Sequence, residues 1–401
     1  MPSSVSSVLK EIGAKGASFT DDVDNEDARK ALLESARSLV ASLESPLEVI
    51  ARMNWLEPTR WAVTQVALDL HLFEALSADD GSPKTSDALA NETGCDERLM
   101  SRLLKHLNSA GFVIETGANE YSANEITKAL AKRIPADDNG DTDETSYGTL
   151  PLTMARLPEF LKLTGYQNPT DKDKSAFKFA FGTDQHYFEY INQPGNEGMS
   201  DSFQAHMEFK TLGKKWFQSV DVEEVFDHPT DATQTLMVDI GGSIGHDIID
   251  FHAAFPNVPG KLVLQDLPTV IDTISPTSLP ENIRAQAHDF FNPQPVQSAK
   301  AYYLHMVLHD WPDESCRKIL SSITPAMKRG YSKILLNEIV ISDTNADWFS
   351  TSVDMLMLFV HSAQERTEDD WGRLLGSVGL KITKIWDCDG NPEKIIEVEL
   401  A

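Results

Sequence analysis

The sequence predicts a doubly wound α/β domain in its C-terminal part, preceded by a largely helical N-terminal half. Three observations predict it. Leu236 to Asp266, LMVDIGGSIGHDIIDFHAAFPNVPGKLVLQD, reads as strand, glycine turn, helix and strand. Further strand-like stretches follow at Ile283 to Ala287, Ala301 to Leu304 and Ile334 to Glu338, with helical stretches between them. Ahead of these the chain is dominated by helical spacing, and strands alternating with helices are the pattern of a parallel sheet covered on both faces.

The glycine turn is the centre of this reading. Gly241-Gly242-Ser243-Ile244-Gly245 follows the apolar run Leu236-Met237-Val238, and Ile244, Ile248, Phe251 and Phe255 give the next helix its inward stripe. Glycines let a turn take positive φ and let a ligand approach the backbone, and the helix N-terminus behind them offers unpaired N–H groups to a negative group. Asp266 closes the second strand, at the sheet edge where open α/β sheets bind ligands, and a carboxylate there can take both hydroxyls of a ribose. The site suits a nucleoside-containing ligand such as NAD, FAD or S-adenosylmethionine. The adjacent Gly241 and Gly242, with Gly245 after them, depart from G-x-G-x-x-G spacing and disfavour NAD. The plainer alternative is a turn that only closes a βα unit.

Taken in order, residues 1–25 read as a polar tail, partly disordered, ending in an acidic cluster of Asp21, Asp22, Asp24, Glu26 and Asp27. Asn25 to Ser45 has helical spacing, with Ala31, Leu32, Ala36, Leu39 and Val40 on one face. A second helix starts near Pro46 and runs through Met53, and Pro58 breaks it. A third, Thr59 to Leu76, carries Trp61, Val63, Val66, Ala67, Leu70, Leu72 and Phe73 on more than one side, so a subunit interface is a reasonable partner for it. Residues 82–134 then read as helix, turn, helix and hairpin, a winged helix. Ser86 can cap the first helix, Asp96 can cap the second, Leu99, Leu103, Leu104 and Leu107 face inward, and Thr116 to Asn119 turns the hairpin. Asp96 and Glu97 open the helix that would read bases, which favours packing or dimerisation over DNA binding.

An acidic loop, Pro135 to Thr149, leads to helices at Pro158 to Thr164, Tyr187 to Ile191 and Asp201 to Val220. Phe177, Phe179, Phe181, Tyr187, Phe188, Tyr190, Phe203, Met207, Phe209, Trp216 and Phe217 crowd this stretch, as core or as the wall of a pocket for an aromatic substrate. The α/β domain continues with helices near Thr269 to Ile274, from Pro312, at Val353 to Val360 and at Trp371 to Val378. Leu380 to Trp386 and Ile395 to Leu400 close it as an antiparallel pair. The expected domains are therefore 1–25, 26–150, a helical connector at 151–230 and the α/β domain at 231–401.

Composition narrows the function. A net charge of −27 argues against general nucleic-acid or anionic-membrane binding. Cys95, Cys316 and Cys388 show neither metal-ligand spacing nor a disulfide framework, so a reducing, cytoplasmic location is expected and no metal. The N-terminus lacks the apolar core of a secretory signal.

The chemistry is carried further on. The strand Tyr302-Tyr303-Leu304 leads into His305-Met306-Val307-Leu308-His309-Asp310-Trp311. A histidine at the carboxyl end of a parallel strand reaches the ligand crevice and accepts a proton near neutral pH. Glu338 follows a strand at the same edge and Glu365 lies in Gln364-Glu365-Arg366-Thr367. One or both can hold the tautomer of His309.

The segments VDIGGSIG, LQDLP, HDFF, YYLHMVLHDWPDE, LLNEIV and QERTEDDW resemble the S-adenosylmethionine-dependent O-methyltransferases of the plant caffeate and flavonoid type. Gly245-His246-Asp247 adds a likeness to the fungal branch that methylates secondary metabolites. The resemblance covers roughly residues 50–400 and implies a Rossmann-like methyltransferase domain behind an N-terminal winged-helix dimerisation domain. It implies S-adenosyl-L-methionine as cofactor, held by Gly241, Gly242, Asp266, Leu267, Asp289, Phe290 and His305. It implies His309 as general base with Glu338 and Glu365 flanking it, Met207, Met357 and His361 on the acceptor, an aromatic hydroxyl compound as substrate, and a homodimer. Ser243 replaces a usual glycine, and His305 stands where lysine or arginine is common. Two rivals remain: a relative of this fold that performs a dehydration or pericyclic step, and a winged-helix regulator sensing a small molecule, which the acidic charge disfavours.

Overall fold

The structure, a computed structural model, describes residues 4–19, 26–132, 149–196, 199, 215–226, 233–275, 278–388 and 392–401. The chain forms two compact units, Met1–Thr142 and Asp143–Ala401, so the stretch expected as a separate connector, 151–230, belongs to the second. Among the described residues no helix is long and apolar enough to cross a membrane.

The first unit corrects several expectations. The stretch read as a polar tail contains a helix, Val5–Ser18, started by the side chain of Ser4, which accepts from the Ser7 N–H. Val5, Val8, Ile12 and Lys15 recur on one side of it. Val8 is buried, and Lys15 Nζ donates to Ser35 Oγ on the next helix, Glu26–Leu43, at 2.9 Å. Four positions over about three turns suffice for a helix that has a partner, which is why composition alone misjudged the segment. Pro58 does not break its helix: a π turn, Arg52–Leu56, joins Pro46–Ala51 to Glu57–Asp69, and Pro58 sits in the first turn, where a missing N–H costs little. The expected helix to Leu76 is divided instead at His71, whose φ is 50°, before Leu72–Ser77.

Strands β1 (Lys84–Thr85), β2 (Val113–Gly117) and β3 (Glu120–Ala123) form an antiparallel sheet in the order β1-β3-β2. Helices Ser86–Thr93 and Glu97–Ser109 precede the hairpin. Thr85, not Ser86, caps the first of them, and Asp96 caps the second. The inward face of Glu97–Ser109 is Met100, Leu103, Leu104 and Leu107, while Leu99 is 42% exposed.

The second unit is built on seven strands: β4 (Thr235–Ile240), β5 (Lys261–Asp266), β6 (Ile283–Ala287), β7 (Ala301–His305), β8 (Lys333–Ile339), β9 (Leu380–Asp387) and β10 (Glu393–Leu400). Their order is β6-β5-β4-β7-β8-β10-β9, parallel except for β10, which runs antiparallel to β8 and β9. Alternate residues of each strand enter different cores. Val238, Ile240, Tyr302, Leu304, Ile334 and Leu336 pack with Ile319, Leu320, Trp371 and Leu375. Met237, Leu264, Ala301, Tyr303 and Leu335 pack with Ile248, Phe251, Trp216 and Phe217. Burial on both faces explains the continuous apolar runs of these strands.

The carboxyl ends of β4, β5, β7 and β8 thus share one edge. Helix Trp348–His361 starts five residues earlier than its apolar pattern suggested, because Asp347 caps it through the N–H groups of Phe349 and Ser350. Of the aromatic stretch, Phe177 and Tyr187 are core and Trp216 and Phe217 lie under the sheet. Phe203, Met207 and Phe209 lie outside the described residues.

Candidate active site

The glycine turn is shaped by what surrounds it. Gly241 and Gly245 have φ of 74° and 93°. A Cβ on Gly242 would lie 2.5 Å from Asp239 Cγ and 2.6 Å from Leu264 Cδ1, so that position is fixed by space. Ser243 takes the turn in spite of its side chain, at φ 53°, and its N–H donates to Asp266 Oδ2 at 2.8 Å. Asp266 Oδ1 accepts from the Leu267 N–H at 2.7 Å. Both oxygens are oriented by backbone and each keeps a lone pair for a ligand hydroxyl. Burial raises the Asp266 carboxyl above its ordinary value. The Phe290 ring borders the Gly241 turn, 3.8 Å from where a Cβ would stand, and Asp289 accepts from the Phe291 N–H at 3.0 Å.

The cradle therefore fits a nucleoside-bearing cofactor: backbone with no Cβ at Gly241 and Gly242, an oriented carboxylate at Asp266, exposed Leu267, and Asp289 with Phe290 on the neighbouring strand end. Gly242→Ala would force Asp239 or Leu264 aside. Overpacking of this kind costs about 1–3 kcal/mol, so the variant is expected to bind S-adenosylhomocysteine about 10- to 100-fold more weakly by calorimetry.

The second cluster is built from three elements. After β7 the chain turns at Met306, φ 51°, into a short helical turn, Leu308–Asp310, that carries His309. Glu338 is the next-to-last residue of β8, and Glu365 follows the helix Trp348–His361. His309 is buried, and its Nδ1 lies 2.7 Å from Glu365 Oε1. A carboxylate there fixes the proton on Nδ1 and leaves Nε2 as the acceptor. Glu338 is wholly buried and accepts from the Val307 and Leu308 N–H groups at 3.2 and 2.8 Å, which holds the turn. Burial pushes its carboxyl up to about 7. One ligand atom of each of His309, Glu338 and Glu365 lies within 4.8 Å of the others, a spacing a cation could use. Nδ1 and Glu365 are joined to each other, and that is the geometry of an oriented base.

Beyond the base lies an aromatic wall. Asp310 Oδ1 is 3.5 Å from His309 Nε2 and 3.4 Å from His361 Nε2. The buried His361 ring lies 5.2 Å from His186 and 5.2 Å from Phe188, and His186 stacks on Trp311 at 4.8 Å. Burial holds His361 well below the ordinary imidazole value and pushes His186 down to about 4, so both rings are neutral at neutral pH. Met357 is half-buried on the same helix as His361. Met207, expected here, lies outside the described residues.

His305 differs from expectation. Its Nδ1 faces Asp247 Oδ2 at 2.5 Å and its Nε2 faces Glu393 Oε2 at 3.0 Å, so neither ring nitrogen is left for the cofactor contact expected of it. Sequence reading also missed His186, Asp310 and Arg366. Arg366 is wholly buried and donates to the Leu308 and Trp311 carbonyls at 3.1 and 2.9 Å and to Asp313 Oδ1. Its place beside Glu365 was the available signal.

Comparison with known proteins agrees with this geometry. Residues 166–381 match the family model of an O-methyltransferase domain, and residues 61–133 match that of an O-methyltransferase dimerisation domain. The chain is 32% identical to O-methyltransferase mpaG of Penicillium brevicompactum over 99% of each. Among solved structures it is similar to LepI in complex with SAM (TM-score 0.86, 29% identity, 99% of each chain) and to a protein described as a pericyclic reaction enzyme (TM-score 0.83, 29% identity, 99% of each chain).

Proposed function

The chain belongs to the O-methyltransferase family, and we propose that it methylates a phenolic hydroxyl of an aromatic secondary metabolite with His309 as its base. It is an S-adenosylmethionine-dependent O-methyltransferase. The observation that carries the assignment of the base is the 2.7 Å contact between His309 Nδ1 and Glu365, which leaves Nε2 directed to accept a proton.

S-adenosylmethionine supplies a methyl group on a positively charged sulfur. Gly241 and Gly242 would hold it against bare backbone, Asp266 would take its ribose, and Leu267, Asp289 and Phe290 would flank its adenine. The protein's own contribution is at the acceptor. A phenol has a pKa of about 10 and is a weak nucleophile at neutral pH. His309 Nε2 takes its proton, Glu365 stabilises the imidazolium that results, and Glu338, through the Val307 and Leu308 N–H groups, keeps the turn in place. The neutral rings of His186, His361, Phe188 and Trp311, with Met357, suit a flat aromatic acceptor. A homodimer is supported by the dimerisation domain and by Leu47, Ile50, Met53 and Trp55, which are 50–75% exposed in the first unit. Cys95, Cys316 and Cys388 form no disulfide, which favours a cytoplasmic location.

The test is calorimetry with S-adenosylhomocysteine, then incubation of the protein and S-adenosylmethionine with a panel of phenols. Binding followed by a product heavier by one methyl is the expected result. Binding with no methylated product would move the assignment to a non-methylating rearrangement, the reading that the pericyclic neighbour favours.

A further inference from the structure

The motif Gly245-His246-Asp247 and the histidine that ends β7 take no part in the chemistry above, yet they meet. Asp247 lies in the first turn of helix His246–Ala254, directly behind the glycine turn. Its Oδ2 is 2.5 Å from His305 Nδ1, while Glu393, the first residue of β10, places Oε2 3.0 Å from Nε2. The Tyr303 hydroxyl stands 3.5 Å from the same Asp247 oxygen and accepts from Asn337 Nδ2 at 3.1 Å. The Trp216 ring stacks on Tyr303 at 5.1 Å. An imidazole whose two nitrogens each lie within 3.0 Å of a carboxylate oxygen carries a proton on both, unlike His309, whose Nε2 has its nearest carboxylate at 3.5 Å, and hydrogen bonds between charged partners are the strong ones.

Three separate elements are joined by this ring: the helix after the glycine turn, the end of β7 and the start of β10. Asp239 of β4 lies beneath Gly242, with its buried carboxyl raised well above the ordinary range. The groups that face His305 are therefore Asp247 of the helix, Glu393 of β10, Tyr303 of its own strand and Asp239 of β4, while His246 acts on Asp247 and Asp266 of β5 acts on Asp239. Lys215 lies beyond them, paired with Asp250 at 2.7 Å.

We propose that His305 is a positioning residue: a doubly bonded imidazolium that straps the first turn of helix His246–Ala254 to β7 and β10, and so sets cofactor affinity by holding the glycine turn in place. The two acids keep His305 protonated well above the ordinary imidazole range. The strap is therefore fully formed below about pH 6.5 and is lost only as pH rises through the higher value of the folded protein.

The experiment uses the full chain. Histidine side-chain NMR of the unaltered protein is expected to show one imidazole protonated on both nitrogens at pH 8. His305→Phe should weaken S-adenosylhomocysteine binding about tenfold by calorimetry and raise the KM for S-adenosylmethionine to match, with kcat at saturation within about twofold. His305→Lys, which retains a cation, should recover most of that affinity, and the alkaline fall in affinity of the unaltered protein should be absent in His305→Phe. A neutral His305 at pH 7 would overturn the proposal, as would unchanged affinity in His305→Phe or a loss confined to kcat. Binding of S-adenosylhomocysteine needs no acceptor, so the NMR and calorimetric readouts stand whether or not a phenol is methylated, and only the KM and kcat comparison rests on the proposed function.

Discussion

His309→Ala retains S-adenosylhomocysteine binding within about twofold and loses about 10²–10⁴ of kcat, the range a positioned general base contributes. The expectation rests on separation of tasks. The cofactor cradle is made by the ends of β4, β5 and β6, while His309 is held by the turn after β7 and by Glu365. Removing the ring leaves the cradle untouched but leaves a phenol with no proton acceptor. The activity that survives comes from alignment of the acceptor, which the aromatic wall still provides. Glu365→Gln should fall between the two. An amide oxygen still accepts from Nδ1, so the ring stays oriented, but the charge that stabilises the imidazolium is gone. Single-turnover rates at saturating acceptor separate chemistry from binding. A rate unchanged in His309→Ala would sink the assignment of the base.

The parts of the site that could be read from the sequence are those encoded locally. Gly241, Gly242 and Asp266 lie within one strand-turn-helix-strand unit, Glu338 is the next-to-last residue of β8, and His309 and Glu365 lie just after β7 and helix Trp348–His361. A parallel sheet brings such positions to one edge whatever the loops do, so topology predicts their meeting. What stayed hidden depends on contacts between residues far apart in the chain. Asp247 and Glu393 reach His305 from 58 and 88 residues away. His186 reaches His361 only because two helices of the second unit pack together. The same limit explains smaller differences. Leu99 and Met100 are both apolar and adjacent in one helix, and which of them turns inward is decided by the partner face. The helix at Val5–Ser18 exists because Glu26–Leu43 packs on it, a fact no window of its own sequence contains.

Arg366→Met is expected to cost the second unit about 3–5 kcal/mol, the range for breaking a buried, charged hydrogen-bond network. Methionine nearly fills the volume, so the loss reports bonds and not a cavity. Asp313 is 44% exposed, so its pairing with Arg366 contributes little of the total. The larger part comes from the Leu308 and Trp311 carbonyls: that of Trp311 would keep only the weak Cys316 thiol at 3.1 Å, and that of Leu308 the same thiol at 3.2 Å and the long Trp311 N–H bond at 3.3 Å. A buried carbonyl left without its donor costs about 1–3 kcal/mol. The contact of the guanidinium with the Trp371 ring at 5.0 Å is lost as well. For a unit of this size the melting temperature should drop by about 10 °C. Both carbonyls flank His309, so the damage is directed: kcat falls while the KM for S-adenosylmethionine, set at the other side of β7, stays near its original value. Arg366→Lys supplies one point charge in place of a planar fork and should recover less than half of the lost stability. Equal melting temperatures for Arg366→Met and the unaltered protein would show that the turn carrying His309 holds its shape without the arginine, and Glu338 alone would then have to account for it.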